Sequence, residues 1–175
     1  RGMPGNHAEA ASGEDSRSAA AGDGPTGSEY PVAIDEVEVF ASGGGPIRQG
    51  CDMRIVVHYR SSRAIDPAYW GFLIYTRDLQ TCVTVAGTGF SYTGGARRIE
   101  SGSGRIACTL PRLSLVAGTY ALKVQVGDPR TGGQYSNFGW DNKPLAFRVT
   151  AAANEISNVY AMTGSLVEVE VLWDE

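Results

Sequence analysis

The sequence predicts an all-β fold: an antiparallel β-sandwich, jelly-roll or immunoglobulin-like in topology, with about eight strands. Apolar and polar residues alternate along many short runs, clusters of Gly, Pro and Asp separate those runs, and no stretch repeats with a helical period. The clearest run begins at Gly118. Tyr120, Leu122, Val124 and Val126 point one way while Thr119, Ala121, Lys123 and Gln125 point the other, as a strand with one buried face requires. Gly118 lets the backbone turn without a Cβ clash, and Asp128-Pro129 ends the run because proline has no amide hydrogen for a ladder. This run is expected to be a central strand.

In chain order, residues 1–29 consist largely of Gly, Ala, Ser, Asp and Glu without a periodic apolar face, so they read as a flexible linker or tail. A chain opening at Arg1 reads as a piece of a longer protein, its linker joining the domain to something upstream. The folded domain is expected over residues 30–175. Ile34, Val37 and Val39 mark an irregular first strand before the Ser42-Gly43-Gly44-Gly45-Pro46 break. Met53, Ile55, Val57 and Tyr59 form the inward set of a second strand. Asp66-Pro67 is expected to break the chain before a third strand, Trp70 to Asp78, in which Phe72, Ile74 and Thr76 alternate with Leu73, Tyr75 and Arg77. Cys82 to Ala86 is a short fourth strand, followed by a Gly-rich loop from Gly87 to Gly95. Ile99 to Leu110 reads as one strand, with Ile106, Cys108 and Leu110 in phase. After the central strand, Gly127 to Asn142 reads as a long loop rich in Gly and aromatics. Leu145, Phe147 and Val149 mark another strand. Val167, Val169, Val171 and Trp173 alternate in a last one.

At 175 residues, with 42% hydrophobic content, the chain is long enough for one domain with a real core. A formal net charge of -4 and a pI near 5.2 offer no electrostatic reason to approach nucleic acid or an anionic membrane. No apolar run approaches the roughly 20 residues that span a bilayer, and no signal-peptide pattern opens the chain, so a soluble chain is expected. Cys51, Cys82 and Cys108 lack the spacing of a zinc site or a disulfide framework. They are expected to be small buried hydrophobes in a reducing compartment. The absence of an Asn-x-Ser/Thr sequon fits a cytosolic setting.

Neither Gly43-Gly44-Gly45-Pro46 nor Gly87-Thr88-Gly89-Phe90 leads into the Lys and Ser/Thr of a phosphate loop. Of the two histidines, His7 lies in the tail and His58 in a strand, facing opposite to Tyr59 as a solvated or groove-facing imidazole. Asp66, Asp78, Asp128 and Asp141 fall at strand ends beside turn formers, where a carboxylate most simply bonds its own turn. No catalysis is expected, no cofactor is called for, and no metal-ligand spacing stands out.

The positive signal is a mixture of residues suited to sugars. Arg54, His58, Arg60, Tyr75, Arg77, Lys123 and Gln125 lie on polar strand faces, while Trp70, Phe90, Tyr92, Tyr135 and Trp140 lie at loops or strand ends. Aromatic rings pack on the C–H face of a pyranose, and planar or charged donors take its hydroxyls. Arg54, His58, Tyr75, Arg77, Lys123 and Gln125 are therefore the expected polar groove set, with Trp70, Tyr92, Tyr135 and Trp140 as stacking platforms. Strands in different sheets cannot share one outward groove, so only part of this set is expected to converge.

The run Pro111-x-Leu113-x-Leu115-x-x-Gly118-x-Tyr120-x-Leu122-x-Val124 resembles the Wzt C-terminal family, the C-terminal domain of the ATP-binding subunit of O-antigen polysaccharide ABC exporters. Met53 to Tyr59, Pro67 and Gly71 before Phe72-Leu73-Ile74, Phe147-x-Val149 and the closing Trp173 follow in order, so the resemblance covers residues 30–175. It implies a non-catalytic, carbohydrate-binding β-sandwich that reads the non-reducing end of an undecaprenyl-linked O-antigen polysaccharide, a lipopolysaccharide precursor. It also implies a fused upstream ATPase domain, a membrane exporter subunit, a place at the cytoplasmic face of the bacterial inner membrane, and a homodimer that exchanges its last strand. Two departures concern where the glycan sits: the turn Asp78-Leu79-Gln80-Thr81 lacks an expected glycine, and the loop from Gly127 to Asn142 is long. The alternative is a dimerisation or docking sandwich that binds no sugar.

Overall fold

The computed structural model describes residues 17–20, 30–88, 95–141, 143–151 and 167. Its strands are β1 (Arg17–Ala20), β2 (Val32–Ala41), β3 (Met53–Ser61), β4 (Ile65–Thr76), β5 (Cys82–Gly87), β6 (Arg97–Ile99), β7 (Gly102–Leu110), β8 (Gly118–Gly127), β9 (Gln134–Phe138) and β10 (Leu145–Val149). They form a four-stranded sheet in the order β1-β2-β3-β7 and a six-stranded sheet in the order β10-β8-β4-β5, with β9 beside β8 and β6 beside β4. The pairings are antiparallel. The all-β sandwich is thereby shown.

Alternation assigns each strand its inward side. Val37, Val39, Ile55 and Val57 of the smaller sheet share one core with Trp70, Phe72, Leu122, Val124 and Phe147 of the larger. Burying side chains of this size is worth about 1.5–3 kcal/mol each. At the entry to β8 the Tyr120 hydroxyl, buried, donates to the Val116 carbonyl at 2.9 Å. This is the tyrosine corner of sandwich folds, and it pins the loop to the strand. β8 is indeed central, flanked by β4 on one side and by β10 and β9 in succession on the other.

Several boundaries differ from the sequence expectation. β1 pairs with β2, so strand structure begins upstream of Tyr30. β4 runs through Pro67 instead of starting after it, because the pairing with β6 is irregular between Ile65 and Ala68, where proline removes no ladder bond. The stretch read as one strand from Ile99 to Leu110 is divided between β6 and β7. The expected long loop after Gly127 contains β9, whose sequence Gln-Tyr-Ser-Asn-Phe lacks a clean apolar alternation. Cys82 is exposed, not a buried hydrophobe, while burial pushes the Cys108 thiol up to about 11. The last predicted strand lies outside the described residues except for Val167, which bridges to Leu115. Among the described residues no helix is long and apolar enough to cross a membrane.

Candidate functional site

The outward face of the larger sheet carries the most chemistry. β4 turns Trp70, Phe72 and Ile74 into the core, which leaves Tyr69, Gly71, Leu73 and Tyr75 facing outward. β8 likewise presents Lys123 and Gln125 between its buried positions. Lys123 stands opposite Leu73, and Gln125 lies between Gly71 on one side and Asn137 of β9 on the other. Asn137 donates through Nδ2 to Gln134, while its Oδ1 is buried without a partner among the described residues. Such an orphan is the kind of atom that ordered water or a ligand hydroxyl satisfies.

β9 leaves β8 at Val124 and β10 joins it at Leu122, so the connecting chain bulges out beside Lys123. Gly139 makes this bend with φ of 86°, and a Cβ there would lie 3.1 Å from Lys123 Cγ and from Pro144. The next residue, Trp140, is thereby set against the lysine. Lys123 Nζ lies 4.8 Å from the centroid of the Tyr75 ring and 5.0 Å from that of Trp140. Each contact contributes about 0.5–2 kcal/mol in proportion to its desolvation. Among the described residues Lys123 has no carboxylate partner, so the rings hold the ammonium while its donors remain available.

Beside this cluster lies a cavity of about 270 Å³ lined by Tyr69, Leu73, Val85, Gln125, Asp128 and Pro129 around the bare backbone of Gly71. That is just under the roughly 300–1,000 Å³ of small-molecule sites, so it suits a ring lying on the sheet more than an enclosed ligand. Tyr69 lies across Gly127, its partner in register: a Cβ at Gly127 would come within 2.7 Å of the ring and 2.8 Å of the Gly133 carbonyl. Burial raises the phenols of Tyr69 and Tyr75, keeping both as neutral donors. Asp128 belongs to its own turn, where the Arg130 amide donates to it at 2.8 Å and holds its carboxyl below the usual value.

The predicted residues thus divide. Tyr75, Lys123, Gln125 and Trp140 converge on this face. Arg77 is exposed in the turn just past β4. Arg54 and His58 lie on β3, whose outward face belongs to the other sheet, so they cannot join the same groove. Trp70 is no stacking platform: it is 1% exposed and packs in the core against Tyr59, ring centroids 5.0 Å apart. Tyr135 sits where the β8–β9 register shifts and packs against the core. Tyr92 and Phe90 lie outside the described residues. Tyr69 and Asn137 were missed. Only the pairing of Tyr69 with Gly127 could have exposed the first, and it needs the register to be known.

Residues 28–164 match the Wzt C-terminal domain family. The chain belongs to that family. This Wzt C-terminal domain shares its fold with a solved structure described as "Crystal structure of the C-terminal domain of wzt", at 14% identity and a TM-score of 0.66, over 84% of this chain and 85% of that one. No curated protein sequence matches it. The family is that of the O-antigen ABC exporter, in which the Wzt C-terminal domain is separate from the ATPase.

Proposed function

We propose that this domain is a non-catalytic module that holds the non-reducing end of a lipid-linked O-antigen polysaccharide for export. The observation that carries the proposal is Lys123 held between Tyr75 and Trp140, beside the depression floored by Gly71. A pyranose laid against the Trp140 or Tyr69 ring would bury its C–H face, with the Lys123 ammonium and the Gln125 and Asn137 amides directed at its hydroxyls. The face is open, so the affinity of one terminal unit is weak. Two linked copies would raise it through effective concentration. In this reading the module follows a fused ATPase domain and works on the cytoplasmic side of the exporter, and the match to the Wzt C-terminal domain family supports it. The residues on which exchange of a last strand between copies would rest lie outside the described ones, apart from Val167.

Titration of the domain with the host polysaccharide, followed by the indole N–H signals, tests the proposal. Trp140 is expected to shift while buried Trp70 does not, and Trp140→Ala is expected to weaken binding about five- to tenfold, equivalent to roughly 1–1.4 kcal/mol. A titration that leaves Trp140 and Lys123 unmoved while affecting only assembly would instead favour a docking sandwich without sugar affinity.

A further inference from the structure

The outward face of the smaller sheet carries a second constellation, on the side of the sandwich away from the proposed glycan face. Glu36 of β2 stands directly opposite His58 of β3, and Glu38 follows two residues later. Their ligand-capable atoms all lie within 4.8 Å of one another, and His58 Nε2 is 3.0 Å from Glu38 Oε1. A bulge creates this arrangement. Ile34 and Val37 both face the core, so strict alternation could not hold both, and the register shift between Ile34 and Glu36 turns Asp35 and Glu36 outward together. β3 meanwhile brings up His58 next to Val56, an outward residue that is wholly buried.

Arg60 makes a two-pronged bond to Asp35, with Nη2 to Oδ1 at 2.7 Å and Nε to both oxygens at 2.9–3.0 Å. Arg105 stands opposite His58 on β7 but lines the cleft along that strand's free edge. Two carboxylates and an imidazole are therefore gathered on paired strands of a rigid sheet. Carboxylate pairs held this close repel one another, and a bound cation relieves that repulsion.

We propose that Glu36, Glu38 and His58 form a divalent-metal site for a borderline ion such as Zn²⁺. One imidazole nitrogen and two carboxylate oxygens make three ligands, and an open fourth position takes water. Binding uses the Nε2 lone pair, so the imidazole proton resides on Nδ1 in the loaded form.

Calorimetric titration of the full chain with zinc chloride, in a His7→Ala/Cys82→Ser background that removes the tail histidine and the exposed thiol, tests the site. One ion per chain is expected, with the ring signals of His58, the one histidine left in that background, shifting on zinc addition. His58→Ala and Glu38→Gln should each weaken binding at least about tenfold, with the metal-free melting temperature as the check on folding. Zinc binding unchanged by both substitutions, binding lost in the background variant alone, or no uptake at millimolar zinc would overturn the proposal. Should a variant unfold, manganese chloride added to the metal-free background protein, read as paramagnetic broadening around His58 that zinc then reverses, decides between the same two outcomes.

Discussion

Single residues mark where the chain departs from easy geometry. Leu79 holds φ of 62° in the turn after β4, a region that costs a residue with a Cβ about 1–2 kcal/mol. It lies in the turn, Asp78 to Thr81, in which the family resemblance implies a glycine. Leu79→Gly is expected to stabilise the domain by about 1 kcal/mol in urea unfolding, since the side chain is exposed and the relieved strain exceeds the added chain entropy. Gly139 is the opposite case. Gly139→Ala combines a disfavoured φ with contacts at 3.1 Å, and is expected to cost about 1–2 kcal/mol and to displace Trp140 from Lys123. Loss of the Trp140 indole shift on glycan addition would report that displacement. Of the aspartates read as turn formers from sequence, Asp66 lies within β4 instead, but Asp78 accepts from the Thr76 hydroxyl and the Gln80 amide, and Asp128 from the Arg130 amide. These bonds lower both carboxyls from 3.8, so their stabilisation is present above that pH and is lost as pH falls through the lowered folded values. Unfolding curves should weaken below about pH 4, and Asp78→Asn or Asp128→Asn should each flatten that decline.

Elements hold together where a local motif meets a long-range partner. The Leu-x-Leu-x-x-Gly-x-Tyr run marks the start of β8 by alternation alone, yet the task of Tyr120 appears only when its hydroxyl is seen to reach Val116. Tyr120→Phe removes one donor and leaves a buried carbonyl unsatisfied, which is expected to cost about 1–3 kcal/mol with little change in shape. A loss below about 0.5 kcal/mol in denaturant unfolding would deny the corner a structural role. β9 illustrates the reverse. Its five residues carry no alternating signal, because Tyr135 at the register shift turns toward the core and interrupts the pattern. The strand exists because β8 extends past β10 and leaves backbone groups to be paired. Cys82 was misjudged for a related reason: β5 lies at a sheet edge, where alternation no longer implies a covered face.

At the scale of the whole molecule, the two outward faces are chemically separate. Substitutions on the larger sheet, such as Lys123→Ala, are expected to weaken glycan binding, whereas Arg54→Ala and His58→Ala on the smaller sheet are expected to leave it within about twofold, as surface changes remote from a site do. Equal losses from both groups in one titration would mean that the ligand does not sit where Tyr75, Lys123 and Trp140 meet. The sequence by itself determined the class of fold and the inward set of most strands, from Ile55 and Val57 to Tyr120 and Val126, because side-chain direction in a strand follows from its nearest neighbours along the chain. It also pointed to Tyr75, Lys123, Gln125 and Trp140, by residue type alone. Only the tertiary structure decided that these four share a face, that Arg54 and His58 look the other way, and that Trp70 is core. Sheet membership is set by pairing between segments distant in sequence, and no local pattern of residues records which strand lies beside which.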